Sequence, residues 1–90
     1  MKECYVKCAS NEQAQALRPY LVEVGFVDDK EWNNERKCEF VRYAICIYDD
    51  MSFNLQVLED DEFSENTHTV PADADLAEAA KTIKELFDKL

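Results

Sequence analysis

The most apolar stretch of the chain is Cys38–Tyr48, and the other elements are organised around it. It is rich in β-branched and aromatic residues and contains no Gly or Pro. This composition predicts a long strand. Beyond Arg42, side chains at both odd and even positions are apolar, a pattern typical of a strand covered on both faces. The rest of the chain is therefore expected to pack around this strand.

The N-terminal third of the chain predicts a strand followed by a helix. Glu3–Ala9 alternates between apolar and polar residues, as a strand with one buried face does. Ser10 and Gln13 have the spacing of a capping box at a helix start. Pro19 lies within the following helical pattern and predicts a kink or a break. Gly25 then ends the helix in the C′ position.

Residues 27–36 read as a polar connection that contains the single tryptophan, Trp32. Two interpretations of this residue remain open. The ring either folds back over the edge of the core or is an exposed anchor for a partner, since tryptophan is enriched at interface hot spots.

A hairpin and an acidic loop follow the central strand. Asp49–Ser52 has turn composition, and Phe53–Leu58 resumes an alternating strand pattern. Glu59–Asn66 is predicted to be an acidic loop. Thr67–Val70 predicts a short edge strand, because Pro71 cannot continue a hydrogen-bonded ladder.

The C-terminal segment predicts an amphipathic helix, with Asp73 or Asp75 as its N-cap. Its apolar positions fall on one stripe, formed by Leu76, Ala79, Ala80, Ile83, Leu86, Phe87 and Leu90.

These elements predict one α+β domain over residues 1–90, with the order β-α-β-β-(β)-α. Two helices on one face of a small antiparallel sheet of three or four strands bury both apolar stripes. The opposite face would then carry Tyr5, one side of the central strand and Leu58 with no helix above them. An apolar patch of that kind is unusual on a monomer. We expect it to pair with a second copy of the chain or with another protein.

The charge is distributed very unevenly. The net charge is −10, and residues 43–80 contain ten acidic residues and no Lys or Arg, so this segment accounts for the whole excess. A one-sided negative field attracts basic partners and repels nucleic acid and anionic membranes. Direct nucleic-acid binding is not expected, because phosphate recognition requires clustered Lys and Arg.

The residue pattern gives little support for catalysis or for a bound metal or cofactor. Cys–His catalysis would require His68 beside a thiol and a group that orients the imidazole. The acidic loop lacks the residue pattern of a calcium-binding loop, and with Gly25 as the only glycine no phosphate-binding loop is possible. We therefore expect no enzymatic activity, no metal and no cofactor.

The four cysteines, Cys4, Cys8, Cys38 and Cys46, include no C-x-x-C pair. The N-terminus lacks the apolar core of a signal peptide, and no apolar run reaches the ~18 residues that span a bilayer. We expect a cytoplasmic protein whose cysteines are free thiols in a reducing compartment.

A resemblance to known proteins arises in the first third of the chain. Tyr5-Val6-Lys7-Cys8, Glu12-Gln13-Ala14, Leu17, Gly25-Phe26 and Trp32 resemble the opening of many small bacteriophage-encoded accessory proteins. Such proteins include acidic inhibitors of host defences. The resemblance implies an inhibitor of a host protein and supplies no binding residues.

The functional expectation is a non-enzymatic, acidic protein-binding module. Rigid carboxylates could occupy a basic groove that normally holds phosphates, so that the protein acts as a nucleic-acid mimic. The candidate partner-binding residues are Asp49, Asp50, Glu59, Asp60, Asp61, Glu62, Glu65 and Trp32.

Three other interpretations stay open. The acidic run could be only a solubilising surface. The chain could instead form a homodimer that binds a small ligand or a peptide. It could also be an enzyme that uses a Cys with His68 or a pair of acids, which would require strongly perturbed pKa values in a pocket.

Overall fold

The computed structural model describes residues 3–33 and 41–90, apart from the side chains of Trp32, Asn33 and Val41. Five strands and two helices are present in these ranges. The elements are β1 (Cys4–Cys8), α1 (Asn11–Glu23), β2 (Val27–Asn33), β3 (Val41–Ile47), β4 (Ser52–Glu59), a 3₁₀ turn (Asp60–Glu62), β5 (Thr67–Thr69) and α2 (Leu76–Asp88). The part of the predicted central strand at residues 38–40 lies outside the described residues.

The five strands form one mixed sheet with the order β2-β4-β3-β1-β5. The central strand β3 pairs antiparallel with both β1 and β4. The two edge strands pair parallel, β5 with β1 and β2 with β4. The α+β class with two helices is therefore confirmed, but the prediction of three or four antiparallel strands is only partly right.

The extra strand β2 comes from the segment predicted to be a polar connection. As an edge strand it hydrogen-bonds only to β4, so its polar side chains need not be buried. Its register shifts between Asp28 and Trp32, and Lys30 has a φ of 64°. This irregularity interrupts the alternation by which a strand is normally recognised in sequence.

The parallel pairing of β5 follows from the path of the chain after β4. Because β4 and β1 are both antiparallel to β3, they run in the same direction. The connection at residues 60–66 returns the chain across the sheet, so that β5 starts again beside β1 in that direction. Tyr5 N donates to Asn66 O at 2.9 Å at the point of entry.

Helix α1 begins and ends as its sequence predicts. Ser10 Oγ accepts a hydrogen bond from Gln13 N at 3.1 Å, which satisfies one free N–H of the first turn. The helix continues through Pro19 as one element, so the predicted break does not occur. Gly25 follows the helix with a φ of 111°, a conformation that favours glycine. Phe26 N then donates to Leu21 O at 3.1 Å.

Both helices contribute to one core on the same face of the sheet. Asp75 caps α2 by accepting from Ala77 N at 3.0 Å and Glu78 N at 3.3 Å. The largest side chains with almost no exposed surface are Val6, Leu17, Leu21, Ile45, Ile47, Phe53, Leu55, Val70 and Ile83. Within the described ranges neither helix is long and apolar enough to cross a membrane.

A half-buried ion pair joins α1 to β2. Arg18 Nε and Nη2 donate to the two carboxylate oxygens of Asp28 at 2.9 and 3.0 Å. Burial by itself would raise the pKa of Asp28. The hydrogen bonds from Arg18 and from the Lys30 backbone, together with their positive charges, outweigh burial and place the pKa below its ordinary value of 3.8.

A pH-dependent contribution to stability follows from this pair. Because the folded-state pKa of Asp28 is lowered, the contribution is complete above pH 3.8 and is lost as the pH falls through the folded-state value. Replacing Arg18 by glutamine should lower the free energy of unfolding by about 1–2 kcal/mol at pH 7. Chemical denaturation at acid pH should show a smaller difference from wild type, and an equal difference at both pH values would contradict this account. The control Lys84→Gln removes the exposed pair with Asp88 and should cost below about 0.5 kcal/mol.

Candidate binding face

The sheet face away from the helices, called here the outer face, carries the side chains of most functional interest. The strand register places Tyr5 and Lys7 of β1 beside Cys46 and Ala44 of β3. The same register continues into β4, where Asn54, Gln56 and Leu58 lie opposite Cys46, Ala44 and Arg42. These residues alternate with the core residues along each strand, so they project to the other side.

The outer face is not the uncovered apolar patch that the sequence predicted. Ala44, Cys46 and Leu58 are only 0, 2 and 7% exposed. They form a second small cluster, against which Tyr5, Tyr48 and Phe63 pack. The connection from β4 to β5 brings Phe63 over the sheet and so contributes to this cover.

The acidic turn, Glu59–Glu62, is attached to the outer face at the end of β4. Asp60 Oδ1 lies 3.2 Å from Lys7 Nζ and 3.7 Å from Arg42 Nε. The Phe63 ring makes an edge-to-face contact with Tyr5, with 6.0 Å between the ring centroids. Lys7 Nζ also lies 5.0 Å from the centroid of the Phe63 ring. One carboxylate and one aromatic ring therefore fix the position of the turn.

The other carboxylates of the turn converge on one another. Oxygens of Glu59, Asp61 and Glu62 lie within 4.8 Å of each other, and Glu59 N donates to Glu62 Oε1 at 3.2 Å. The side chains of Glu59 and Asp61 are exposed. Three carboxylates at this separation have the geometry to bind a metal ion, but exposed acidic groups often lie this close without one. A cationic group from a partner would relieve their mutual repulsion.

A hydrogen-bonded network covers the other half of the outer face. The Tyr48 hydroxyl accepts from Asn54 Nδ2 at 3.2 Å and from Gln56 Nε2 at 3.1 Å. Gln56 Nε2 also donates to Asn54 Oδ1 at 3.0 Å, and Asn54 Nδ2 donates to Asp29 Oδ2 at 3.5 Å. On the neighbouring strand, the Tyr5 hydroxyl donates to Glu3 Oε1 at 2.9 Å.

Negative charge surrounds this network. The pKa of Tyr5 is raised to about 12, first by burial and then by its hydrogen bond to Glu3 and the charge of Glu3. Burial also raises the pKa of Tyr48; the hydrogen bond with Asn54 opposes this increase, and Cys46, Asp29 and Glu3 add to it. The pKa of Cys46 is raised to about 12 by burial, and Glu3 and Glu62 add to the increase. The smaller contributions, from Glu3, Asp29 and Glu62, show that acidic side chains lie close to this network.

The structure distributes the predicted partner-binding residues over two regions. Asp49 and Asp50 are exposed in the turn between β3 and β4, and the acidic turn lies at the far end of β4. The ends of an eight-residue strand are about 23 Å apart, so these acids do not form one compact array. Asp50 accepts from Ser52 Oγ at 2.6 Å and from Ser52 N at 3.0 Å, which lowers the pKa of its carboxyl.

The remaining predicted residues differ in how they are placed. Glu65 is exposed in the connection before β5. The side chain of Trp32 lies outside the described residues, so both interpretations of it remain predictions. The carboxylate of Asp60 is the one that joins a predicted residue to cationic side chains, those of Lys7 and Arg42, among the described residues.

Comparison with protein-family models, curated proteins and solved structures gives no match to this chain. Its function is therefore inferred from its own residues.

The described thiols are poorly suited to nucleophilic catalysis. Burial raises the pKa of Cys4 to about 11 and that of Cys8 to about 12. A thiol with so high a pKa stays protonated at neutral pH, whereas the nucleophile is the thiolate. His68 lies on the short edge strand β5, opposite Val6 of β1.

A cleft of about 420 Å³ has Lys7, Cys8, Arg42, Thr69 and Pro71 among its lining residues. Its two cationic side chains are the ones that contact Asp60. The same two side chains therefore line the cleft and hold the acidic turn.

Sequence reasoning missed the network formed by Glu3, Asp29, Tyr48, Asn54 and Gln56. A signal was present in β4, where Asn54 and Gln56 alternate with Phe53, Leu55 and Val57. That alternation indicates that one face of the strand is polar. The contribution of Asp29 depends on the unpredicted strand β2.

Proposed function

We propose that this protein is a non-enzymatic binding module that presents carboxylates on a rigid outer face to a basic surface of another protein. The observation that carries this proposal is the attachment of the acidic turn through Asp60 and Phe63. This attachment leaves Glu59 and Asp61 exposed on a fixed support.

The contacts of Asp60 and Phe63 with the sheet distinguish this arrangement from a simple solubilising run of acids. Association costs less when the interacting side chains are already held in place. The charge excess of residues 43–80 adds a one-sided field that would accelerate encounter with a basic partner. Both features support recognition by charge and shape.

The partner we propose has a groove that normally holds nucleic-acid phosphates. Carboxylates fixed on the turn would occupy that groove, so the protein would act as a nucleic-acid mimic and an inhibitor. A cytoplasmic, host-directed role, as in small phage-encoded accessory proteins, belongs to this same proposal.

Homodimerisation through the outer face receives less support from the described residues. Its apolar residues are already covered, and its margin carries Glu3, Asp29 and the acidic turn. A symmetric pairing of this face would bring these acids towards one another. Like charges across an interface oppose association.

The test is recovery of partners from a bacterial lysate by the immobilised protein. The variant Glu59→Gln/Asp61→Asn removes two exposed charges and leaves Asp60, Glu62 and Phe63 unchanged. We expect wild type to retain a basic, nucleic-acid-binding protein and the variant to bind it about tenfold more weakly. Raising the ionic strength to about 0.5 M should release it from wild type.

A matched control changes the same charge on the helical side of the molecule. Glu23→Gln/Glu85→Gln removes two exposed acids from α1 and α2 and should bind like wild type. Equal losses in both variants would indicate that only net charge matters. Partner binding that neither variant nor salt affects would refute the proposed function.

A further inference from the structure

The hydrogen-bonding groups on one half of the outer face fall into a simple pattern. The acceptor patch, defined here as Glu3, Tyr5, Asp29, Tyr48, Asn54 and Gln56, uses nearly all of its side-chain N–H and O–H groups internally. Both hydrogens of Asn54 Nδ2 have acceptors, Tyr48 Oη and Asp29 Oδ2. The two hydrogens of Gln56 Nε2 likewise have acceptors, which are Tyr48 Oη and Asn54 Oδ1.

The two hydroxyls of the acceptor patch complete this pattern. Tyr5 donates to Glu3 Oε1 at 2.9 Å, and Tyr48 donates to Asn54 Oδ1 at 3.4 Å. Tyr48 Oη lies near both ends of the Asn54 amide, so at any moment it either donates to Oδ1 or accepts from Nδ2. A phenol has one hydrogen and a primary amide has two, so nearly all side-chain donors of the acceptor patch are used within it.

What the acceptor patch offers outward is therefore oxygen. Gln56 Oε1 and Glu3 Oε2 take part in no hydrogen bond within the described residues. The exposed carboxylate of Asp29 accepts from Glu31 N and Asn54 Nδ2 and has further lone pairs. The half-buried rings of Tyr5 and Tyr48 lie between these oxygens.

We propose that the acceptor patch binds arginine side chains of the basic partner. A guanidinium carries five N–H donors and no acceptor, which complements a surface that presents mainly acceptors. Its flat, weakly hydrated group also stacks on aromatic rings such as those of Tyr5 and Tyr48. This inference rests on the proposed function and assigns its recognition chemistry.

The spacing of the two carboxylates suggests more than one arginine. Glu3 precedes β1 and Asp29 lies on β2, and β3 and β4 separate these strands. At ~4.8 Å per strand, the backbones of Glu3 and Asp29 are about 14 Å apart across the sheet. We therefore assign Glu3 and Asp29 to different arginine side chains of one partner segment.

The experiment uses nuclear magnetic resonance of the labelled protein and defined probes. N-acetyl-arginine methylamide is titrated and the side-chain NH₂ signals of Asn54 and Gln56 are followed. We expect these signals to shift in a saturable manner. N-acetyl-lysine methylamide, which carries the same charge, should bind about threefold more weakly, and the neutral N-acetyl-citrulline methylamide about tenfold more weakly.

Two variants separate this patch from the acidic turn. Glu3→Gln/Asp29→Asn preserves the internal hydrogen-bond acceptors and should weaken arginine binding about fivefold. Glu59→Gln/Asp61→Asn should bind the arginine probe like wild type. The assignment would be overturned if the arginine probe left both NH₂ signals unmoved. It would also be overturned if the lysine and citrulline probes bound as tightly as the arginine probe.

The outcomes for the two proposals are distinguishable. If the arginine probe fails while lysate recovery still depends on Glu59 and Asp61, the patch assignment is wrong and the proposed function stands. If the patch binds arginine but no basic protein is recovered, the proposed function is wrong.

Discussion

Replacing Phe87 by alanine should lower the free energy of unfolding by about 3–5 kcal/mol, the usual cost of deleting a buried aromatic side chain. Phe87 is 2% exposed in α2, and its ring meets Phe26 edge to face with 5.3 Å between centroids. Removing it takes away core volume and the aromatic contact that joins α2 to the end of α1. Urea denaturation followed by circular dichroism measures the change.

The matched comparison is Phe63→Ala on the outer face. Phe63 is half-buried and packs the β4–β5 connection, rather than a helix, against the sheet. The expected loss in free energy of unfolding is therefore about 1–1.5 kcal/mol. A loss as large as that of Phe87→Ala would show that the outer face stabilises the fold as much as the helical core does. The acidic turn should also become less ordered in Phe63→Ala.

Replacing Tyr48 by phenylalanine should cost about 1–3 kcal/mol, because the amides of Asn54 and Gln56 lose a shared acceptor. Asn54 is only 8% exposed, so water replaces that acceptor poorly. The change also frees N–H donors on a surface that otherwise presents acceptors. Binding of N-acetyl-arginine methylamide should fall about threefold.

Tyr5→Phe is the control for this effect. It removes one hydrogen bond, to Glu3, and leaves the Asn54 and Gln56 network intact. The expected stability loss is about 0.5 kcal/mol. A Tyr48→Phe protein as stable as Tyr5→Phe, with unchanged arginine binding, would show that the Tyr48 network does not organise the face.

The helical half of the fold was predictable because its signals are local. The Asp75 cap and the apolar stripe of α2 lie within one continuous segment, and Ser10 and Gly25 mark the ends of α1. The alternation of apolar and polar residues in β1 and the turn composition at Asp49–Ser52 are local signals of the same kind. Each is set by spacing along the chain rather than by distant contacts.

The other half depends on non-local contacts that spacing does not reveal. The polar strand β2 is stabilised at the sheet edge by pairing with β4 and by the Arg18–Asp28 contact. The position of Phe63 over Tyr5 follows from the route of the chain between β4 and β5.

The candidate site was predictable only in part, for the same reason. The excess of acids in residues 43–80 indicated a charged surface, but sequence could not show that Asp60 attaches the turn to Lys7 and Arg42. Nor could it bring Glu3 and Asp29 to the same face, since Glu3 precedes β1 and Asp29 lies on the distant strand β2.

The most direct test of the central claim is competition with DNA for the recovered basic partner. Fluorescence anisotropy of a labelled duplex bound to that partner would be followed as this protein is added. We expect wild type to displace the duplex, and Glu59→Gln/Asp61→Asn to require about tenfold higher concentration. A partner that binds the duplex and this protein at the same time would contradict the claim that the acidic face occupies a phosphate-binding groove.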